Sequence, residues 1–403
     1  MYEELFKRRK LQEMIRSTID MDFTVEQMLK DGFSEKMARA YLNMLEIEKK
    51  NNFFDKDYIE WAHNRGFRAN TACICGIDDS NYKEFLTDYD YYRIWPINNW
   101  TRIWINDKLT LKYMLSHTEF DSIMPEYYYY TAPDAPEGLR ALIDNPYRND
   151  VADAKQFLKL LSEKKIFACK PCNGSLSFGF FMMRYESGKF YVGEDEINEN
   201  EIELFLQNHP NYVFTEFIKP GGILAEISPQ IHTLRIVTVN IDGANPKIIG
   251  GYLRVTNHKS TEGNLLYLDE DDTRYNVFTN VNFATGEFFD GRKEYVKRAE
   301  KVSVHPDSKT KLSGKIENYD ELLSKVIGIA KRFNNIEYMG FDIGVTDKGF
   351  KCMEINSHPG IGYVQMYRPL FADPFTEKYF KSKIDKINSL SDVEKSKRNG
   401  ILR

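Results

Sequence analysis

Long apolar runs are missing from this sequence. No window approaches the length of a membrane span, and the first residues, Met1-Tyr-Glu-Glu-Leu-Phe-Lys-Arg-Arg-Lys10, begin charged and develop no apolar signal core. No membrane-inserted segment or secretion signal is therefore expected, and the default expectation is a cytoplasmic protein. Cysteine is scarce: the five, Cys73, Cys75, Cys169, Cys172 and Cys352, are odd in number and scattered, a pattern that excludes a secreted disulfide framework. Cys169 and Cys172 have the spacing of half a zinc site, but no second pair accompanies them, and they read as small strand or loop residues. Positive charge is not in excess either. The 55 Lys and Arg against 60 Asp and Glu leave a net −5, which argues against nucleic acid or an anionic membrane as partner.

What is present is enough chain for two or three domains in 403 residues. Residues 1–65 read as a helical N-terminal region, with apolar residues at helical spacing and Ser34 placed to begin one helix. Residues 66–105 read as a small α/β piece in which Phe67–Gly76 is a strand ending in glycine. Tyr89, Tyr91, Tyr92, Trp95, Trp100 and Trp104 crowd together there, a stacking surface for a sugar or base in principle but more in keeping with core at a domain junction. Residues 106–375 form the main α+β domain. Residues 376–403 end the chain with a helix near Glu377–Ile387 and a charged, flexible tail from Ser389.

The chemistry concentrates between Tyr338 and Gly360. This stretch reads as two buried strands joined by the turn Thr346-Asp347-Lys348-Gly349. A hairpin there sets Asp342 opposite Glu354 and Asn356, which lie two apart and so share a face. Acids inside apolar strands call for a partner. Two carboxylates and an amide oxygen converging from three positions form a hard-oxygen set suited to Mg²⁺.

Other segments add anion-binding features. Lys108 opens a helix after the polar pair Asn106-Asp107. Lys170 ends a strand that leads into Cys172-Asn-Gly-Ser-Leu-Ser-Phe-Gly179, where Gly174, Ser175 and Gly179 suit either a flap laying backbone N–H groups over phosphate or an ordinary hairpin turn. Glu216 stands alone in a strand that ends in Pro220-Gly221-Gly222. Arg235 is the only full charge in the strand Gln230–Asn240, and Arg254, on the next strand, is within reach of it. Two neighbouring arginines repel unless an anion lies between them. His232 reads as a hydrogen-bonded strand histidine rather than a catalytic one.

Together these motifs resemble the ATP-grasp fold, and the order of Thr233 with Arg235, Leu253-Arg254-Val255, His305-Pro306-Asp307 and Gly340-Phe341-Asp342-Ile343 resembles its sugar-transfer associated family over about residues 60–375. The pattern departs at Ser177, where the family's loop has a further glycine, and near Tyr275–Asn282, which lacks a glycine pair. The resemblance implies an ATP-grasp fold, α+β, of two subdomains clamping ATP. It implies Lys108 and Lys170 on the phosphates, Gly174, Ser175 and Gly179 in the flap, Glu216, Phe217 and Ile218 at the adenine hinge, and Mg²⁺ on Asp342, Glu354 and Asn356. Arg235 and Arg254 would be the catalytic arginines. The activity implied is a carboxylate–amine ligase working through an acyl phosphate, with small-molecule carboxylate and amine substrates and a sugar or surface-glycan intermediate among them. A kinase of the same fold acting on a hydroxyl, or a non-catalytic nucleotide-binding module, are the alternatives.

Overall fold

In the computed structural model the described residues are 22–51, 53–133, 138–149, 152–174, 179–258 and 274–400. Two antiparallel sheets carry the architecture. The first contains β1 (Tyr127–Thr131), β2 (Leu139–Ala141), β3 (Ile166–Pro171), β4 (Phe181–Glu186), β5 (Lys189–Val192), β6 (Asp195–Ile197) and β7 (Tyr212–Glu216), in the order β2-β1-β7-β3-β4-β5-β6. The second contains β8 (Thr233–Val239), β9 (Lys247–Val255), β10 (Asn276–Val281), β11 (Glu287–Glu294), β12 (Ala299–Lys301), β13 (Gly314–Lys315), β14 (Tyr338–Thr346) and β15 (Gly349–Asn356). Its order is β12-β11-β10-β9-β8-β14-β15, with β13 paired to β11.

Each sheet is backed by a helix whose apolar spacing predicts its packing. Helix Ala154–Lys164 starts at Asp153, whose carboxylate accepts from Gln156 N–H, and buries Phe157, Leu158, Leu160 and Leu161. Phe157 meets Tyr129, Phe167 and Phe214 of the first sheet. Helix Tyr319–Arg332 buries Leu322, Val326, Ile329 and Ala330 in the core shared by β8, β9, β10, β14 and β15. Each buried leucine, isoleucine, valine or phenylalanine among them stabilises the fold by roughly 1.5–3 kcal/mol. β14 is buried at every residue from Tyr338 to Val345, because it lies centrally between β8 and β15.

Of the N-terminal region, residues 1–21 lie outside the described residues; from Asp22 to Asn64 the described residues form helices, and Ser34 caps helix Glu35–Lys50 by accepting from Met37 N–H. Two expectations fail. Residues 66–105 hold no strand: Ala69–Cys75 is a helix ended by Gly76 in the left-handed region at φ 64. Its start is fixed from outside, since the buried Glu48 carboxylate accepts from Ala69 and Asn70 N–H while Asp88 accepts from Arg68 N–H. Tertiary contacts thus override the strand propensity of Thr71, Ile74 and the cysteines. The C-terminal segment is also not a loose tail, because Asp392–Gly400 is helical and Arg398 donates to the carbonyls of Gly32, Arg93 and Trp95.

Candidate active site

The hairpin β14–β15 forms at the expected turn: Thr346 faces Gly349 and, beyond a one-residue shift, Asp342 faces Glu354 and Gly340 faces Asn356. Between Asp342 and Ile343 the register shifts, so that Ile343 faces Cys352 and Met353 is the extra residue. This bulge reverses the alternation of β15. Cys352 turns into the core, while Glu354 and Asn356 emerge beside Asp342. Asn356 Nδ2 donates to Asp342 Oδ2 at 3.1 Å and to Glu354 Oε1 at 2.9 Å, so the three groups meet at one spot.

Cations close on this spot from three other elements. Arg235 on β8 lies opposite Asp342 and donates Nε and Nη2 to its two oxygens, the second at 2.9 Å. Lys108 opens helix Lys108–Leu115, whose cap is the Asp107 side chain accepting from Thr110 N–H. Only 7% exposed, Lys108 places Nζ 3.8 Å from Glu354 Oε2 and 3.5 Å from the Gly174 carbonyl. Its own N–H donates to the Cys172 carbonyl at 3.1 Å, which ties the helix start to the loop after β3. Lys170 on β3 is half-buried, and burial, then Lys108, push it down to about 8 against the pull of Glu354.

Burial pushes Asp342, 6% exposed, up to about 7 against the pull of Arg235, and Glu354 alongside adds to the rise. Burial works the same way on Glu354, but Lys108 and then the amide of Asn356 outweigh it and hold that carboxyl below its ordinary value. Among the described residues no three His, Cys, Asp or Glu side chains gather as a metal cluster. The fit for a cation rests on two hard carboxylates held together with one amide, a set that suits Mg²⁺ with Asn356 as the third ligand.

Other candidates lie further out. Arg254 faces Thr233 rather than Arg235, and its Nη2 donates to Asn276 Oδ1 at 3.0 Å. The anion that Arg235 grips is Asp342. At the end of β7 the Glu216 carboxylate accepts from Glu126 N–H at 3.2 Å and lies 3.5 Å from Lys351, so its side chain is held and its backbone leads to half-buried Phe217 and Ile218. Gly174 ends one side of the loop. Gly179 resumes the chain at φ 78, where a Cβ would meet the Tyr212 hydroxyl at 2.5 Å. Ser175 lies outside the described residues.

His232 is structural: its ring bonds the Leu224 carbonyl and Thr256 N–H, and burial pushes it down to about 4. The aromatic cluster divides, with Tyr91 and Trp95 buried and Trp100 60% exposed.

Two asparagines that no periodicity marks out hold the hairpin in place. Asn98, buried, accepts from Glu337 and Tyr338 N–H and donates to the Tyr338 and Ser357 carbonyls. Asn106 exchanges two bonds with Ser357, next to Asn356. Their only trace in the sequence is an amide side chain next to an apolar one, Asn98 after Ile97 and Asn106 after Ile105.

Two antiparallel sheets, one carrying a lysine strand and glycine loop and the other a carboxylate hairpin, define an ATP-grasp architecture. More particularly, the chain belongs to the sugar-transfer associated ATP-grasp family, whose model matches residues 99–371. No curated protein matches. Among solved structures, an L-amino acid ligase from Bacillus licheniformis is 10% identical with a TM-score of 0.31, covering 66% of this chain and 43% of that one. A D-alanine-D-alanine ligase from Coxiella burnetii is 12% identical with a TM-score of 0.34, covering 71% and 58%. Another from Bacillus anthracis, complexed with ATP, is 12% identical with a TM-score of 0.33, covering 72% and 67%. The chain thus spans less than two thirds of the first two, and likenesses of this size carry no argument about activity.

Proposed function

We propose that this chain is a Mg-ATP-dependent carboxylate–amine ligase of the cytoplasm, acting through an acyl phosphate on small molecules that include a sugar or surface-glycan precursor. The observation that carries the reading is the meeting of Asp342, Glu354 and Asn356 on one hairpin, with Lys108 spanning the gap to the loop after β3. Membership of the sugar-transfer associated family supports the glycan side of it.

In this reading Asp342, Glu354 and Asn356 would hold Mg²⁺, whose charge would offset that of the nucleotide phosphates. Lys108 and Lys170 neutralise the α- and β-phosphates, and the loop from Gly174 to Gly179 covers them. Glu216, Phe217 and Ile218 offer backbone groups to adenine. A substrate carboxylate oxygen attacks the γ-phosphorus as the bond to ADP breaks. The amine then attacks the acyl carbon, loses a proton and expels orthophosphate. Arg235 and Arg254 stabilise charge on the transferring group or on the substrate carboxylate. None of these residues forms a covalent bond with substrate, so catalysis is positioning plus electrostatics.

The test is ³¹P NMR of the chain with Mg-ATP and a panel of amino acids, uronic acids and amino sugars. ADP and orthophosphate that form only when both a carboxylate and an amine are present support the ligase. A new phosphoester resonance without orthophosphate makes the chain a kinase instead, and nucleotide binding with no turnover on any pair leaves a binding module.

A further inference from the structure

We infer that Arg235 and Lys108 are built-in counter-ions of the candidate metal site: they hold Asp342 and Glu354 until a nucleotide polyanion draws them off, so that the site takes a divalent cation only together with the nucleotide. The inference rests on the nucleotide reading above and adds an order to it.

The geometry is that of a site already neutralised from within. Arg235 covers both oxygens of Asp342, and no other full charge stands on β8. Lys108 lies 3.8 Å from Glu354, and Asn356 joins the two acids through its amide. The charged groups that face the pair are Arg235 from β8, Lys108 from the helix it opens and Lys170 from β3. Three cations against two carboxylates leave this pocket with a net positive charge, so a bare dication gains little by entering it.

A nucleotide triphosphate changes that balance. Its phosphates offer Arg235 a second bidentate partner and offer Lys108, already within 3.5 Å of the Gly174 carbonyl, an anion at the loop. As both side chains move to phosphate, the carboxylates lose their internal partners and become cation ligands. The phosphates thus supply the negative charge that the dication needs and, by the same contacts, uncover its protein ligands. Cation and nucleotide affinities are then linked, each raising the other by the same factor.

The probe is Mn²⁺, counted by the EPR signal of the free ion over the full chain. Wild type is expected to bind Mn²⁺ alone at least about tenfold more weakly than it does with ATP present. Arg235→Gln, which leaves Asp342 without its counter-ion, is expected to bind Mn²⁺ alone at least about tenfold tighter than wild type. Mn²⁺ alone should also raise the Tm of Arg235→Gln more than that of wild type, and Arg235→Lys, which restores a cation, should return both readings toward wild type. Should Arg235→Gln not fold, Lys108→Met carries the same measurement at Glu354. An unchanged or weaker Mn²⁺ affinity in the folded variant, with ATP still bound by wild type, overturns the counter-ion role alone. A wild-type chain that binds no ATP with or without Mn²⁺ overturns the nucleotide reading with it.

Discussion

Two buried acids in this molecule sit beside an arginine and do opposite things. Glu48, 0% exposed in the N-terminal helical region, accepts from Ala69 N–H at 2.8 Å, from Asn70 N–H at 3.1 Å and from the His63 ring at 2.9 Å, with Arg68 3.6 Å away. Burial alone would push it up, but those bonds hold it below its ordinary value. Asp342 is pushed up although Arg235 grips both its oxygens, because burial dominates and a second carboxylate lies alongside. Glu48 thus meets the unpaired N–H groups of a helix start, whereas Asp342 is crowded against another anion. The difference teaches that a buried acid marks a site only where a like charge has been brought to it at a cost.

The sharpest way to test that contrast is to neutralise one acid in each place. Glu354→Gln removes a ligand from the crowded pair, and the Mg²⁺-dependent part of ATP binding, read by calorimetry, should weaken by about a hundredfold or more. Its folding stability should stay within about 1 kcal/mol, since replacing one of two crowded acids relieves repulsion. Undiminished Mg-ATP binding would remove the metal assignment. Glu48→Ala should do the reverse, costing about 3 kcal/mol in urea denaturation because Arg68, His63 and a helix start lose their partner. Its ATP affinity should stay within about twofold.

Much of the site could be read in the sequence. The hairpin turn, the two strands that carry Asp342 and Glu354, and the helix opened by Lys108 all follow from local pattern. The bulge at Met353 could not, because it reverses an alternation that looks regular along the strand. The pairing of Arg235 with Asp342 crosses 107 residues, and the anchoring of the hairpin by Asn98 crosses about 240, distances over which local periodicity carries no information. The helix Ala69–Cys75 is hidden from local pattern for the same reason, since its capping groups, Glu48 and Asp88, come from elsewhere in the chain.

Acid and base titration should separate the two regions more gently. Lys170 titrates near 8 in the folded chain, below the ordinary lysine value. Its charged form is therefore disfavoured on folding: the cost is full below about pH 8 and is relieved as pH rises through the folded value toward the unfolded one. Bound phosphate favours the charged form, so ATP binding takes up a proton above that pH. Affinity should fall by up to about tenfold per pH unit there, and Lys170→Met should flatten the profile. Glu48 has the opposite sign. Its folded value is lowered, so its contribution is present above the unfolded carboxylate range and is lost as pH falls through the folded value. Stability should drop on the acid side in wild type, and less steeply in Glu48→Gln.

The smallest expected effect concerns the end of the chain, and it asks how far the structural pole of the comparison extends. Helix Asp392–Gly400 has a polar sequence that predicts no burial, yet Arg398 donates to the Trp95 carbonyl at 2.8 Å and also reaches the carbonyls of Gly32 and Arg93. Gly32, at φ 97, is where a Cβ would meet Ile387 at 2.5 Å, so the preceding helix Pro374–Asn388 also packs closely there. One charged side chain bonded to carbonyls thus does for this helix what an apolar face does for the others. Arg398→Ala should cost about 1–2 kcal/mol, toward the low end for hydrogen bonds to a charged donor because the side chain is only half-buried, with ATP affinity unchanged. If stability holds while ATP affinity falls, the N-terminal helices belong with the chemistry after all, and the division between Glu48 and Asp342 is not one between scaffold and site.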